Sequence, residues 1–520
     1  MTVLKLNSLG VQNINFDLEP CDLPANTLTY GTNYKLFNGK IKASNMSYTL
    51  ATPPANFKAG LIMPVLGDSG NFYLLVGQSA AWVYNGTSWT DVTKTGGYPG
   101  ISAGGELLWT GCLLGSIPVV NNAQDYPNYW SPQQTAQKLQ ALNFKAGQTW
   151  QAHGLSAKVV RSHKNFLFAL NLQQSATVLA TSYRWSHPAD INGLPYTWDE
   201  TDLAAIAGIA SVGGDMGDLV DGLTLRDNFM LYSQRGISSL SYVGGEFVWD
   251  RKVLTTSYGL LAKNCIVESK GYHYFLSDGD ILKTDGNSFV SVLHNQMQTQ
   301  LVNNIDPTYY MNSFAYANPV TEEIWFCVPQ VGHTLPNIAF VINTQDDLVS
   351  MRSIPSTTTG LNFGPNLQVP ILWSNALGGW DENAKNWTYD PTSIFSRTIV
   401  STNNVNSSII SLELDDATTT QNTLLERLSF PVEGQEVVTT TQSVFPHIVS
   451  QEPVLIQLGS QQFVAGPIAW KPPVSFDPNT MRKVDIRTTG KLLSWRIYST
   501  GTLPFTLTGL DIQYVVNGLR

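Results

Sequence analysis

Asp218-Leu-Val-Asp-Gly-Leu-Thr-Leu-Arg-Asp-Asn-Phe-Met-Leu-Tyr232 leads into Gly236-Ile-Ser-Ser-Leu-Ser-Tyr242 and Gly244-Gly-Glu-Phe-Val-Trp249. The same unit is then written again as Cys265-Ile-Val-Glu268, Gly271-Tyr-His-Tyr-Phe-Leu276, Asp280-Ile-Leu-Lys-Thr-Asp-Gly286 and Ser288-Phe-Val-Ser-Val292. Each copy is a series of short apolar and aromatic runs. Turn pairs divide them: Asp227-Asn228, Arg235-Gly236 and Gly244-Gly245 in the first copy, Lys270-Gly271, Asp278-Gly279 and Asp285-Gly286 in the second. Residues that tolerate positive φ, placed regularly between β-rich runs, describe an antiparallel meander. A meander of about 40 residues that recurs is the mark of a propeller blade.

Working outward, four more such units can be traced. Before the pair, one runs from Gly70 to Val92, with Asn85-Gly86 between two apolar runs; a second begins at Gly104-Gly105 and runs to Val120, and a third covers Ala157 to Trp185. After it, another spans Asn312 to Ser353. Asn85-Gly-Thr-Ser-Trp89 echoes Asp285-Gly-Asn-Ser-Phe289, a positive-φ turn followed by Ser and an aromatic that should pack between blades. The reading is an all-β chain with a six-bladed propeller over 65–356, preceded by an irregular segment, 1–64. Beyond 356, Ser and Thr become dense, and 357–520 reads as one or two β domains of sandwich type, with a platform part near 430–520. Short helices are expected at 131–142, at 202–210 and within 291–305, the last because Val292, Leu293, Met297, Leu301 and Ile305 fall near helical spacing.

With 520 residues the chain exceeds one ordinary core, and 43% apolar residues with 14 Trp supply ample buried material. Charged residues are only 13%, about half the usual ~25%. A net charge of −9 argues against general binding to phosphate backbones, which needs clustered Lys and Arg. The N-terminus has no apolar signal-peptide core and no run reaches a membrane span, so no membrane anchor is expected and the sequons at Asn45, Asn85, Asn386 and Asn406 read as chance. The four cysteines, Cys21, Cys112, Cys265 and Cys327, form no CxxC and read as free thiols.

Chemistry is sparse. Seven scattered histidines make no HExxH or HxH pair, so no metal or other cofactor is expected. Asp278, Asp280 and Asp285 do not fit an EF-hand and read as turn residues. Gly213-Gly-Asp-Met-Gly217 lacks the Lys-Ser/Thr of a phosphate loop, and no Gly-x-Ser-x-Gly elbow occurs. Sialidase-type Asp-boxes are off by spacing. The expectation is no catalytic constellation.

Charge is lopsided toward the C-terminus. Residues 401–470 carry seven acids (Glu413, Asp415, Asp416, Glu426, Glu433, Glu436, Glu452) against Arg427, net −6. Residues 471–520 carry seven bases (Lys471, Arg482, Lys483, Arg487, Lys491, Arg496, Arg520) against three acids, net +4. The candidate interface residues are Arg482, Lys483, Arg487, Lys491, Arg496 and Arg520 facing Glu413, Asp415, Asp416, Glu433 and Glu436, two unlike contact faces.

The run 218–232 with Tyr242-Val-Gly-Gly-Glu-Phe247, Tyr258-Gly-Leu260 and Phe275-Leu-Ser-Asp-Gly-Asp-Ile281 resembles the propeller of short-tailed phage tail nozzle proteins, also called tail tubular protein B or DNA-stabilisation tail accessory factor. Phe476-Asp-Pro, Lys483-Val-Asp-Ile-Arg-Thr-Thr-Gly-Lys491, Trp495-Arg-Ile-Tyr-Ser499 and Gly509-Leu-Asp-Ile are similar to that group's C-terminal domain. The resemblance covers 190–300 and 430–520. It implies a homohexameric tube in the virion tail, assembled in the bacterial cytoplasm, docked on a head–tail adaptor ring and carrying fibres or spikes. Double-stranded DNA is retained by the tube and passes through its lumen during ejection. Two other classes remain open: another virion structural protein, and a carbohydrate-binding or carbohydrate-hydrolysing propeller.

Overall fold

The computed structural model describes residues 2–519 except 68–69, 99–104, 134–136, 192, 246, 320, 363–399, 404–407, 413–419 and 500–502. All six expected units form four-stranded antiparallel sheets. Blade 1 runs from Ala59–Gly67 to Trp89–Asp91, blade 2 from Trp109–Leu114 to Gln140–Ala141, and blade 3 from Leu155–His163 to Gly208–Ser211. Blade 4 runs from Leu219–Leu225 to Trp249–Thr255, blade 5 from Ile266–Ser269 to Phe289–Ser291, and blade 6 from Phe314–Asn318 to Leu348–Ser353. The first strands of successive blades touch one another around an axis.

A seventh blade, not expected from the sequence, completes the ring. It pairs Thr357–Gly360, Val400–Asn403 and Ile409–Ser411 with Tyr48–Ala51 from the N-terminal segment. Its first strand touches the first strand of blade 1. The count of six is thus corrected to seven among the described residues. The missed blade has no contiguous meander: its strands are far apart in the chain, and its outermost one precedes blade 1. Backbone hydrogen bonds between the two ends of the propeller fasten the circle, so neither end is left as an open sheet edge.

Why these runs become blades is visible in their burial. The second strand of blade 6, Glu323–Val328, is buried at every position, and Phe166–Leu172 of blade 3 likewise. Strands covered on both faces need nearly continuous apolar runs, and these are apolar except for the buried Glu323 and Asn171. Aromatic side chains fill the wedge between blades: Phe168 stacks on Phe229 with ring centroids 4.4 Å apart, and Phe72 meets Trp130 edge-on at 5.6 Å.

The expected hairpin turns are present. Gly86, Gly244, Gly245 and Gly286 have φ of 97°, 68°, 76° and 93°, each between the third and fourth strands of its blade. Asn85 Oδ1 accepts the Thr87 and Ser88 N–H groups at 3.0 and 2.8 Å; Asp285 Oδ1 accepts those of Asn287 and Ser288 at 2.9 and 2.8 Å. The two Asx turns are therefore the same object. Four backbone and hydroxyl bonds of this kind hold the Asp285 carboxyl down at about 2. Trp89 stacks on Tyr84 at 4.6 Å and joins the cluster between blades 1 and 7.

Two expected helices do not form. The described part of 131–142 is extended: Gln137 offers its carbonyl to Trp130 Nε1, Leu139 is buried, and Gln140–Ala141 becomes the last strand of blade 2. In 202–210, Asp202 caps a turn, Ile206 accepts Trp185 Nε1, and Gly208–Ser211 pairs as the last strand of blade 3. Tertiary pairing outweighs the modest helix propensity of both stretches. Within 291–305 the α-helix Gln298–Asn304 forms.

The C-terminal part is a sandwich. One sheet orders Tyr34–Phe37, Lys40–Ala43, Phe505–Leu519, Val437–Ser450 and Thr489–Gly490, with Thr2–Asn7 also on Phe505–Leu519. The other orders Tyr30–Thr32, Leu424–Pro431, Leu492–Ser499, Val454–Gln461 and Ala469–Trp470, with Val474–Phe476 beside Val454–Gln461. Alternate residues such as Val454, Ile456 and Leu458 meet Leu6, Ile41, Val444, Leu510 and Ile512 in one core. The segment 1–64, expected to be irregular, supplies four strands to this sandwich, one to blade 7 and the start of blade 1.

That segment also welds the two bodies. Phe16 packs on both cores. Asn13 Oδ1 accepts Val349 N–H at 2.6 Å, and Asp17 accepts the Gln298 and Thr299 N–H groups at the helix start at 3.0 and 3.1 Å. Arg352, 2% exposed and lying over Trp325, pairs with Glu323 at 2.5 Å and donates from Nε to the Tyr34 carbonyl at 3.3 Å.

Candidate functional site

Among the described interface residues several acids and bases meet within the chain, because 424–461 and 489–519 are neighbouring strands of one sandwich. Arg496 pairs with Glu426 at 2.5 Å and lies 4.3 Å over Trp470. Lys491 pairs with Glu436 at 3.2 Å, Lys483 with Asp485 at 2.9 Å, and Glu433 accepts the Tyr514 hydroxyl. Arg482 and Arg487 stay exposed on the extended stretch before Thr489–Gly490. Glu413, Asp415, Asp416 and Arg520 lie outside the described residues. The sequence showed the asymmetry but not the strand order that cancels much of it.

The geometry most suited to binding lies on the propeller axis. Blades 3, 4 and 5, the helix and the strand-free stretch after it enclose an open cavity of about 1000 Å³. Lys158 enters from the first strand of blade 3, Asp218 stands just before that of blade 4, and Lys263 just before that of blade 5. Tyr258 and Tyr310 line it from the blade 4–5 connection and from beyond the helix. Lys263 pairs with Glu106 at 2.9 Å across the cavity wall; burial lowers the lysine's pKa, and the Glu106 carboxylate opposes that.

Further along the first strands of blades 3 and 4 a buried polar group ties the blades together. Arg161 Nε and Nη2 donate to Asp221 Oδ1 and Oδ2, both at 2.8 Å, and Nη2 also reaches Asn264 Oδ1 at 2.7 Å. Its Nη1 donates to the Gly111 carbonyl at 2.9 Å, and Asn264 N–H donates to Asp221 at 2.7 Å. Four successive blades converge on one guanidinium. Asp221 is fully buried, so the bidentate pairing satisfies a charge that would otherwise be severely destabilising. The strands that carry this group also carry the funnel-like cavity, whose lining does not include it. Sequence reading missed this group, although Asp221 inside the apolar strand Leu219–Leu225 was its visible signal.

As expected of free thiols, the four cysteines are unpaired; Cys21, Cys265 and Cys327 are buried and Cys112 half-buried. Among the described residues no three His, Cys, Asp or Glu side chains are placed to hold a metal, and no helix is long and apolar enough to cross a membrane.

No family model matches the chain, and no curated protein matches it. Among solved structures, the chain is similar to YCF48 bound to D1 peptide, with 10% identity, a TM-score of 0.38, and coverage of 76% of this chain and 99% of that one. It is also similar to an exo-beta-1,3-galactanase from Phanerochaete chrysosporium with galactose, with 11% identity, a TM-score of 0.28, and coverage of 81% and 98%. The architecture shown by the sheets, and not these distant likenesses, identifies the chain as a β-propeller joined to a β-sandwich.

Proposed function

We propose that this chain is a structural subunit of a phage tail nozzle: a six-membered tube below a head–tail adaptor ring that retains packaged DNA and conducts it during ejection. The sequence resemblance over 190–300 and 430–520 suggests the role. The structural observation that supports it best is the weld between propeller and sandwich, made by strands 2–51 and by the Arg352–Glu323–Tyr34 contacts. A ring element must hold its shape under load, and two β bodies stitched by one segment and packed through buried contacts move as one block.

On this reading the DNA path is the space enclosed by six subunits. Duplex DNA does not run through the propeller of a single subunit, whose blades are tied to one another by Arg161, Asp221 and Asn264. The proposed role calls for no catalytic group, and the buried carboxylate of Asp221 is locked to Arg161. The test is a light-scattering mass of the purified chain alone and with the adaptor protein of the same virion, with a duplex-DNA shift assay beside it. Six-membered assemblies on the adaptor and no duplex binding by the free chain at ~0.15 M salt support the reading. Another stable ring count, or tight duplex binding, refutes it.

A further inference from the structure

We infer that the axial funnel is a binding site for a neutral, hydroxyl-rich ligand, a stretch of surface glycan. The inference does not rest on the nozzle reading. Three acids, Glu106, Asp218 and Asp278, face three bases, Lys158, Arg235 and Lys263, so the lining carries no net charge. A phosphate-rich or polyuronate ligand gains nothing from such a wall.

Only Lys263 and Glu106 neutralise each other. Among the described residues, the Asp218 and Asp278 carboxylates, the Lys158 ammonium, the Arg235 guanidinium and the Tyr258 and Tyr310 hydroxyls have no hydrogen-bond or ion-pair partner. They ring one cavity with their donors and acceptors uncommitted. A mixture of donors and acceptors suits hydroxyl groups, each of which both donates and accepts. Tyr258 is 40% exposed at the mouth, an amphipathic ring with a face for sugar C–H groups and a polar tip.

A peptide is the rival occupant: extended peptides bind by adding a strand to a free sheet edge, and the first strand of each blade is the end strand of its sheet. The mixed, uncommitted side chains of the lining favour the hydroxyl-rich ligand, and the peptide control separates the two.

The experiment is calorimetric titration of the full chain with maltoheptaose and with neutral bacterial O-polysaccharide fragments. Oligo-alginate serves as a charged control and an unstructured peptide of mixed sequence as a second. Saturable binding of at least one neutral glycan is expected, with the controls silent. Tyr258→Ala and, separately, Asp278→Asn should each weaken it about tenfold, a loss of ~1.4 kcal/mol. Both positions are exposed, so the variants should fold, and unchanged circular dichroism checks this. Tyr48→Ala, on blade 7, should bind like the parent. Binding of no neutral glycan, binding of alginate or peptide instead, or parent-like affinity of both the Tyr258 and the Asp278 variants overturns the inference.

Discussion

Acid should loosen the propeller through His273 before it touches the carboxylates. The imidazole is fully buried in the second strand of blade 5, where Nε2 donates to the Thr224 carbonyl at 2.8 Å and Nδ1 accepts the Tyr232 hydroxyl at 2.9 Å. It thus bolts blade 5 to blade 4 in its neutral form. Burial lowers its pKa from 6.5 to about 4, the Thr224 hydrogen bond opposing. A depressed folded-state pKa means that stability is present above 6.5 and drains away as pH falls toward 4. Between pH 7.5 and 5 the loss is about 2 kcal/mol, reaching ~3.4 kcal/mol below pH 4.

His163 lies on the other side of the same residue, 2.9 Å from Thr224 Oγ1, and burial also lowers it to about 4. Discounted for partial solvent screening, it adds about 1 kcal/mol over the same window. Asp199 and Asp285, both held at about 2, contribute only once the pH drops below ordinary carboxylate values. Asp280, raised by burial, runs the opposite way. The assay is urea unfolding of the full chain followed by tryptophan fluorescence at pH 7.5 and 5. In His273→Gln the stability difference between the two pH values should shrink by about 2 kcal/mol, whatever its absolute stability. An unchanged difference would refute the assignment.

Further expectations follow from other contacts. Gly86→Val places a β-branched residue at φ 97° and should cost about 1–3 kcal/mol, read as a shift in urea midpoint. Arg352→Met leaves Glu323 buried without its partner and should destabilise by about 3–5 kcal/mol, with the sandwich–propeller junction losing hydrogen-exchange protection first. Double reversal of the exposed Arg482 and Arg487 to Glu should weaken assembly on the adaptor while leaving thermal unfolding within about 1 kcal/mol of the parent. Reversing Arg496 instead would break its Glu426 pair and the Trp470 contact, and so would confound stability with assembly.

The propeller was legible because its signals are local. Asn85-Gly86 and Asp285-Gly286 announce their own turns, and Glu323–Val328 shows full burial in its composition. What escaped was non-local. Tyr48–Ala51 reads as nothing until its partner Ile409–Ser411 is placed beside it, and Gln140–Ala141 follows strand pairing over helical propensity. The charged segments misled for the same reason: sequence distance hid that Glu426 and Arg496 are cross-strand neighbours. The funnel was invisible because its members come from three blades and the connections between them, and none of those stretches carries the set alone.

The central claim is that the welded propeller–sandwich block builds a tube of six, and electron microscopy of the purified chain mixed with the adaptor of the same virion tests it most directly. Six-fold rings whose central opening admits duplex DNA, each with six propellers around the rim, are the expected image. Isolated monomers under every condition, or closed rings of another number, would contradict it.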